Sequence, residues 1–100
     1  SKAKHNHIKL TIDGVSNTYP GTNALITICK YIGVIKVAEV NLTTNGLKLL
    51  VKHIPMGKEN KYMEIGDGWF ICTYCDTKVK LRLIKIITIH FHQNINAELV

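Results

Sequence analysis

One hundred residues with a net charge of +6, 46% of them hydrophobic and 20% charged, describe a globular chain able to bury a modest core, not a disordered tail. No apolar run approaches the roughly 20 residues needed to span a membrane, and the polar start "SKAKHNH" has no apolar segment behind it that would read as a signal peptide. Three cysteines, an odd number, suit a reduced cytoplasm better than a disulfide framework, and the positive charge points to an anionic partner, nucleic acid first.

Residues 1–7 read as a disordered basic tail or a cloning remnant, since Ser-Lys-Ala-Lys opens without Met; residues 8–100 read as a single α+β domain cut from a longer chain. "HIKLTIDGVSNTYPG" alternates apolar Ile8, Leu10 and Ile12 with polar neighbours and turns at Asp13-Gly14, which predicts a hairpin whose second strand runs from about Val15 to Tyr19. After Pro20-Gly21, "TNALITICKYIG" places Leu25, Ile28 and Ile32 on one helical face, with Thr22 or Asn23 as N-cap and Gly33 at the far end. "VIKVAEV" predicts a second, short helix before a turn at Asn45-Gly46. "LKLLVKHI", "KYMEI" and "GWFICTY" read as three strands, linked through residues 55–60 and through Gly66-Asp67-Gly68.

From Val79 to Phe91 two periodicities compete. The odd positions are Val79, Leu81, Leu83, Lys85, Ile87, Ile89 and Phe91, a nearly strict alternation rich in β-branched residues, as a strand requires. Ile84, Ile87 and Phe91 also fall at i, i+3 and i+7, and Asp76 is placed to cap a helix. Periodicity alone slightly favours the strand.

The chain from about residue 8 to residue 100 resembles a small C-terminal accessory domain of bacterial restriction or defence proteins. The likeness is carried by "IKLTIDG", "TNALITICKYIGVIKVAEV", "LLVKH", "IGDGWFICTYCDTKVKLRL" and a close on "INAELV". It implies that the segment after "GWFICT" is a polar, Lys-rich helix opened by Ser/Thr residues, with Thr73, Thr77, Lys78 and Lys80 at the matching positions. Cys75 departs from the pattern, and so do apolar Leu81, Leu83 and Ile89, which leaves a dry interface or a β-rich variant open. The resemblance implies a non-catalytic domain and moves the reading of residues 77–92 to a helix.

Cys72-x-x-Cys75 has the spacing of half a zinc site that His90-x-His92 or Cys29 would have to complete. On a helix His90 and His92 stand about 200° apart and cannot share an ion; on a strand they share a face. Cys72 lies inside the apolar "WFICTY", where a free thiol acts as a small hydrophobe, so structural cysteines and no metal or cofactor are expected. "HNH" at residues 5–7 is three consecutive residues, not the spaced ligands of a nuclease, and seven singly scattered acids do not supply the grouped carboxylates of a two-metal centre. Trp69, beside Phe70 and Ile71, reads as core before it reads as a base-stacking platform.

The basic residues form two groups that hold eight of the thirteen Lys/Arg side chains: Lys78, Lys80, Arg82 and Lys85, and Lys48, Lys52, Lys58 and Lys61 beside His53. A helix starting near Thr77 directs backbone N–H groups outward, and the hydroxyls of Thr73, Tyr74 and Thr77 can donate to phosphate oxygens, although a capping Asp76 would use the same donors. The expectation is an α+β fold, a small mixed or antiparallel sheet of about five strands covered by two main helices. Its function is read as nucleic-acid binding, DNA before RNA, through Lys78, Lys80, Arg82, Lys85, Thr73, Tyr74, Thr77, Lys52, Lys58 and Lys61, without catalysis and without membrane contact. The alternatives are a merely solvated basic face, or a protein–protein or self-association module that uses Leu81 and Ile89 against another copy or other domains of the parent chain.

Overall fold

A computed structural model describes residues 6–100. The fold is α+β: among the described residues there are eight short strands and three α-helices, with one 3₁₀ turn at Glu59–Lys61. The strands form not one sheet of about five but three small antiparallel sheets, ordered β2-β1-β8, β3-β4 and β5-β7-β6. By their internal contacts the residues fall into two compact units, one built from the chain up to Ile28 together with Asp76–Val100, the other from Cys29–Cys75.

In the first unit β1 (His7–Ile12) and β2 (Val15–Pro20) pair antiparallel with Ile12 opposite Val15. The two-residue loop between them, Asp13-Gly14, has φ of 51° and 80°, the double positive φ that a type I′ turn needs. β1 starts at His7, inside the stretch expected as tail, and Asn6 already accepts a backbone hydrogen bond from Gly21 at 3.2 Å. Helix α1 (Gly21–Ile32) begins one residue earlier than expected, so Thr22 and Asn23 lie within its first turn instead of capping it. The other edge of β1 is taken by β8 (Ile95–Leu99), a strand not anticipated from the sequence, with Leu10 opposite Ala97. Alternation then sorts β1: Ile8 and Leu10 are buried, while Lys9 faces Glu98 with 3.7 Å between charges and Thr11 shares a 2.7 Å hydrogen bond with Ser16.

Helix α3 (Thr77–His90) packs on β8 and β1, burying Leu83, Ile84, Ile87 and Thr88. The Asp76 carboxylate accepts the Val79 N–H at 2.9 Å, which identifies the N-cap. The helical reading of this segment is therefore the one the structure bears out. Where α1 begins, Gly21 leaves room for α3: a Cβ there would stand 3.1 Å from Thr77 Cγ2 and 3.4 Å from Lys80 Cδ.

The second unit starts inside α1 and continues through the short helix α2 (Val34–Ala38), entered by Gly33 at φ 122°, which only glycine adopts easily. β3 (Thr43–Thr44) and β4 (Leu47–Lys48) form a hairpin across Asn45-Gly46, again with both φ values positive, 52° and 76°. The expected single strand "LKLLVKHI" is divided between two sheets, because buried Leu49 donates its N–H to Leu42 and accepts from Cys72, both at 2.8 Å. β5 (Leu50–Val51) and β6 (Tyr62–Gly66) then flank β7 (Trp69–Cys72), and Asp67-Gly68 makes a third two-residue turn next to a bulge at Ile65. Among the described residues no helix is long and apolar enough to cross a membrane.

Candidate nucleic-acid interface

The exposed side of α3 carries the first basic group. Lys78, Arg82 and Lys85 occupy i, i+4 and i+7, within about 60° of one another around the axis and over about 10 Å of its length. All three are exposed, and none has an ion pair among the described residues. Lys80 points the other way. It is only 8% exposed, its stem beside Gly21 and Thr77, so it adds little to the outer charge. Thr77, half-buried against the same glycine, is likewise turned inward. The start of the helix is closed to an anion by chemistry as well, since the Asp76 carboxylate already holds the Val79 N–H. The expected phosphate site at the helix start thus gives way to a stripe of three side chains along the outer face.

Beyond Lys85 the exposed side becomes apolar, with Ile86 at 41% and Ile89 at 74% exposure, while Leu81 is half-buried. Alternation along a strand would have grouped Ile87 with Ile89; the helix buries the first and exposes the second.

The second basic group belongs to the Cys29–Cys75 unit. Lys61 places its ammonium 3.5 Å from the Tyr74 ring centre, and its backbone carbonyl accepts from the Thr73 N–H at 2.9 Å and from the Thr73 hydroxyl at 3.4 Å. Tyr74 is 52% exposed, and its carbonyl accepts from the Asn45 amide at 2.5 Å. Lys61, Thr73 and Tyr74 are therefore brought together, but the Thr73 hydroxyl is directed at a carbonyl instead of outward. Lys58 is exposed in the turn before β6. Lys52 stands over the half-buried Trp69 indole with 5.2 Å to its ring centre, so this tryptophan is neither core nor an open platform. That contact was missed in the sequence, where seventeen positions separate the two residues, and no local signal encodes it. Lys2 and Lys4 lie outside the described residues.

The cysteines divide by burial. Cys29 and Cys72 are fully buried, and Cys75 is half-buried in the link before α3. Burial pushes the Cys29 thiol up to about 12, since a thiolate there would lose its hydration. Burial also raises the Tyr62 phenol, with Cys72 adding to it, and the Tyr62 hydroxyl donates to the Lys48 carbonyl at 2.6 Å. Among the described residues no three His, Cys, Asp or Glu side chains are grouped as a metal site requires. His90 ends α3, and His92 follows it at a positive φ of 53°.

No protein-family model matches this chain, and neither the curated proteins nor the solved structures contain a significant match to it.

Proposed function

We propose that this chain is a nucleic-acid-binding module without chemistry of its own, which holds phosphates on the outer face of α3. The observation that carries the reading is the Lys78-Arg82-Lys85 stripe: three exposed cations on one rigid face, with no carboxylate paired to them among the described residues. Side chains of this kind neutralise a phosphate backbone and release its counterions, and contacts made to phosphate carry no sequence information. In the Cys29–Cys75 unit Lys52, Lys58 and Lys61 supply further positive charge. The resemblance in "GWFICTYCDTKVKLRL" extends the proposal to an accessory role in a bacterial restriction or defence protein, with DNA preferred to RNA.

The test is titration of labelled duplex and single-stranded DNA and RNA at low salt, comparing wild type with the Lys78→Ala/Arg82→Ala/Lys85→Ala variant. Non-specific dissociation constants fall at about 1–100 μM, and each lost phosphate contact lowers the salt slope on duplex by about 0.9. The triple variant should therefore lose about 2.7 of slope and weaken on every sequence alike. A variant lacking Lys2 and Lys4 serves as the charge control and should lose less. If wild type fails to bind at about 100 μM, at the weak end of that range, or if the control loses as much as the helix variant, the stripe is a solvated surface.

A second reading follows from Ile89, 74% exposed at the end of the same face: self-association through Ile86 and Ile89. A mass that rises with concentration and returns to the monomer in Ile89→Glu would support it.

A further inference from the structure

A cleft of about 560 Å³ opens in the Cys29–Cys75 unit, among Asn41, Lys48, Lys52, His53, Pro55 and Trp69. Its volume lies within the about 300–1,000 Å³ of small-molecule sites. Its floor is apolar, supplied by Leu47, Leu50 and Val51, while its rim bears two ammonium groups and an imidazole, with no carboxylate anywhere in the lining. Lys52, itself exposed, stands 5.2 Å over the indole that forms one wall, so a base reaches that face only as the ammonium turns to the rim. The combination of a flat aromatic wall, an apolar floor and a cationic rim suits a planar ring that carries a negative charge.

We infer that this cleft holds one nucleotide, its base against Trp69 and the apolar floor and its phosphate at Lys48, Lys52 and His53. The ligand is either a free mononucleotide or a single unpaired nucleotide of a longer strand. A base inside a duplex is stacked on its neighbours and closed to such a pocket. Asn41 stands at the same cleft with a left-handed backbone, φ 61°; its amide nitrogen donates to the Glu39 carbonyl at 3.4 Å, and its amide oxygen can accept from a base edge. The neighbouring cleft of about 430 Å³, on which Trp69 also borders, is a poorer host, because Asp67 joins Lys30 and Lys36 in its lining and opposes an anion there. The inference shares the nucleic-acid chemistry of the proposed function and its Lys52, but none of the Lys78-Arg82-Lys85 stripe that carries that reading, so either can fail alone.

Trp69 is the sole tryptophan, and its fluorescence reports the cleft directly. The folded chain is titrated with each nucleoside monophosphate, with the matching nucleosides, with inorganic phosphate, and with short single-stranded and duplex oligonucleotides. Nucleoside monophosphates or single strands should change the Trp69 emission saturably, nucleoside or phosphate alone should bind at least tenfold more weakly, and duplex should leave the emission unchanged. A monophosphate that binds as well as the strand marks a free-nucleotide site; a strand that binds far better marks an unpaired base in a polymer. Lys48→Gln/Lys52→Gln, exposed positions whose change leaves the core intact, should weaken the nucleotide at least tenfold. Trp69→Leu, followed by calorimetry, should weaken it roughly 5- to 150-fold, the range for one base–aromatic contact. Lys78→Ala/Arg82→Ala/Lys85→Ala should bind the nucleotide as wild type does. Absence of any emission change, equal binding of inorganic phosphate, or an unaltered Lys48/Lys52 variant would overturn the inference. Duplex binding that persists through those results would leave the α3 proposal standing.

Discussion

Replacing Asp76 by alanine removes the acceptor that holds the Val79 N–H at 2.9 Å and leaves that donor to water at the start of a fourteen-residue helix. Capping side chains of this kind contribute about 0.5–2 kcal/mol, and a carboxylate in the first turn adds about 0.3–1 kcal/mol through the helix dipole when exposed. Asp76 is exposed, so the charge component falls at the low end and the hydrogen bond dominates. Asp76→Ala should therefore cost about 1–1.5 kcal/mol, and Asp76→Asn, which keeps an acceptor and loses the charge, no more than about 0.5 kcal/mol. Urea unfolding followed by far-ultraviolet circular dichroism measures both, with the m-value unchanged because the buried surface is unchanged. Added salt should close the gap between Asp76→Asn and wild type but not the one between Asp76→Ala and wild type. An alanine variant within about 0.3 kcal/mol of wild type would refute the cap, as would an asparagine variant as costly as the alanine. The same substitutions test the interface, since each raises the net charge from +6 to +7 beside Lys78. Duplex binding should tighten in both, or at least not weaken.

Ile87→Ala should cost about 2–5 kcal/mol, because its side chain is wholly buried, whereas Ile89→Ala, at 74% exposure, should stay within about 0.5 kcal/mol of wild type; comparable losses in the two would instead indicate a strand-like segment. Cys29 makes stability fall at alkaline pH. Its folded-state pKa is raised from 9.0 to about 12, so the folded chain retains a proton that the unfolded chain releases. Stability is thus untouched below about pH 9 and declines by up to about 1.4 kcal/mol per pH unit from there toward pH 12. Cys29→Ala should flatten that slope in unfolding titrations whatever it does to stability at neutral pH, and an unchanged slope would count against it. In the folded protein below pH 9 a thiol reagent should modify Cys75 well before Cys29 or Cys72, and equal rates for all three would contradict the burial.

What the sequence determined by itself was what a few neighbouring residues can encode. Asp13-Gly14, Asn45-Gly46 and Asp67-Gly68 each force a tight reversal, since only residues tolerant of positive φ adopt it, and all three turns stand where the pairs do. Asp76 announced a helix start for the same local reason, and the Leu25-Ile28 spacing marked the buried side of α1. Between Val79 and Phe91 the local code was ambiguous, because one set of apolar residues satisfies a period of 2 and another satisfies a period near 3.6. Tertiary structure chose the helix. The free edge of β1 is filled by β8, and the helix that leads into β8 buries Leu83, Ile84 and Ile87 on β1 and β8. Long-range pairing likewise decided that Leu49 divides one apolar run between two sheets, that Lys80 lies inside while Lys78 lies outside, and that Lys52 stands on Trp69. Each of these outcomes depends on what lies opposite a residue in space, and that partner is set by the whole chain's burial and hydrogen bonding, which no short window of sequence contains.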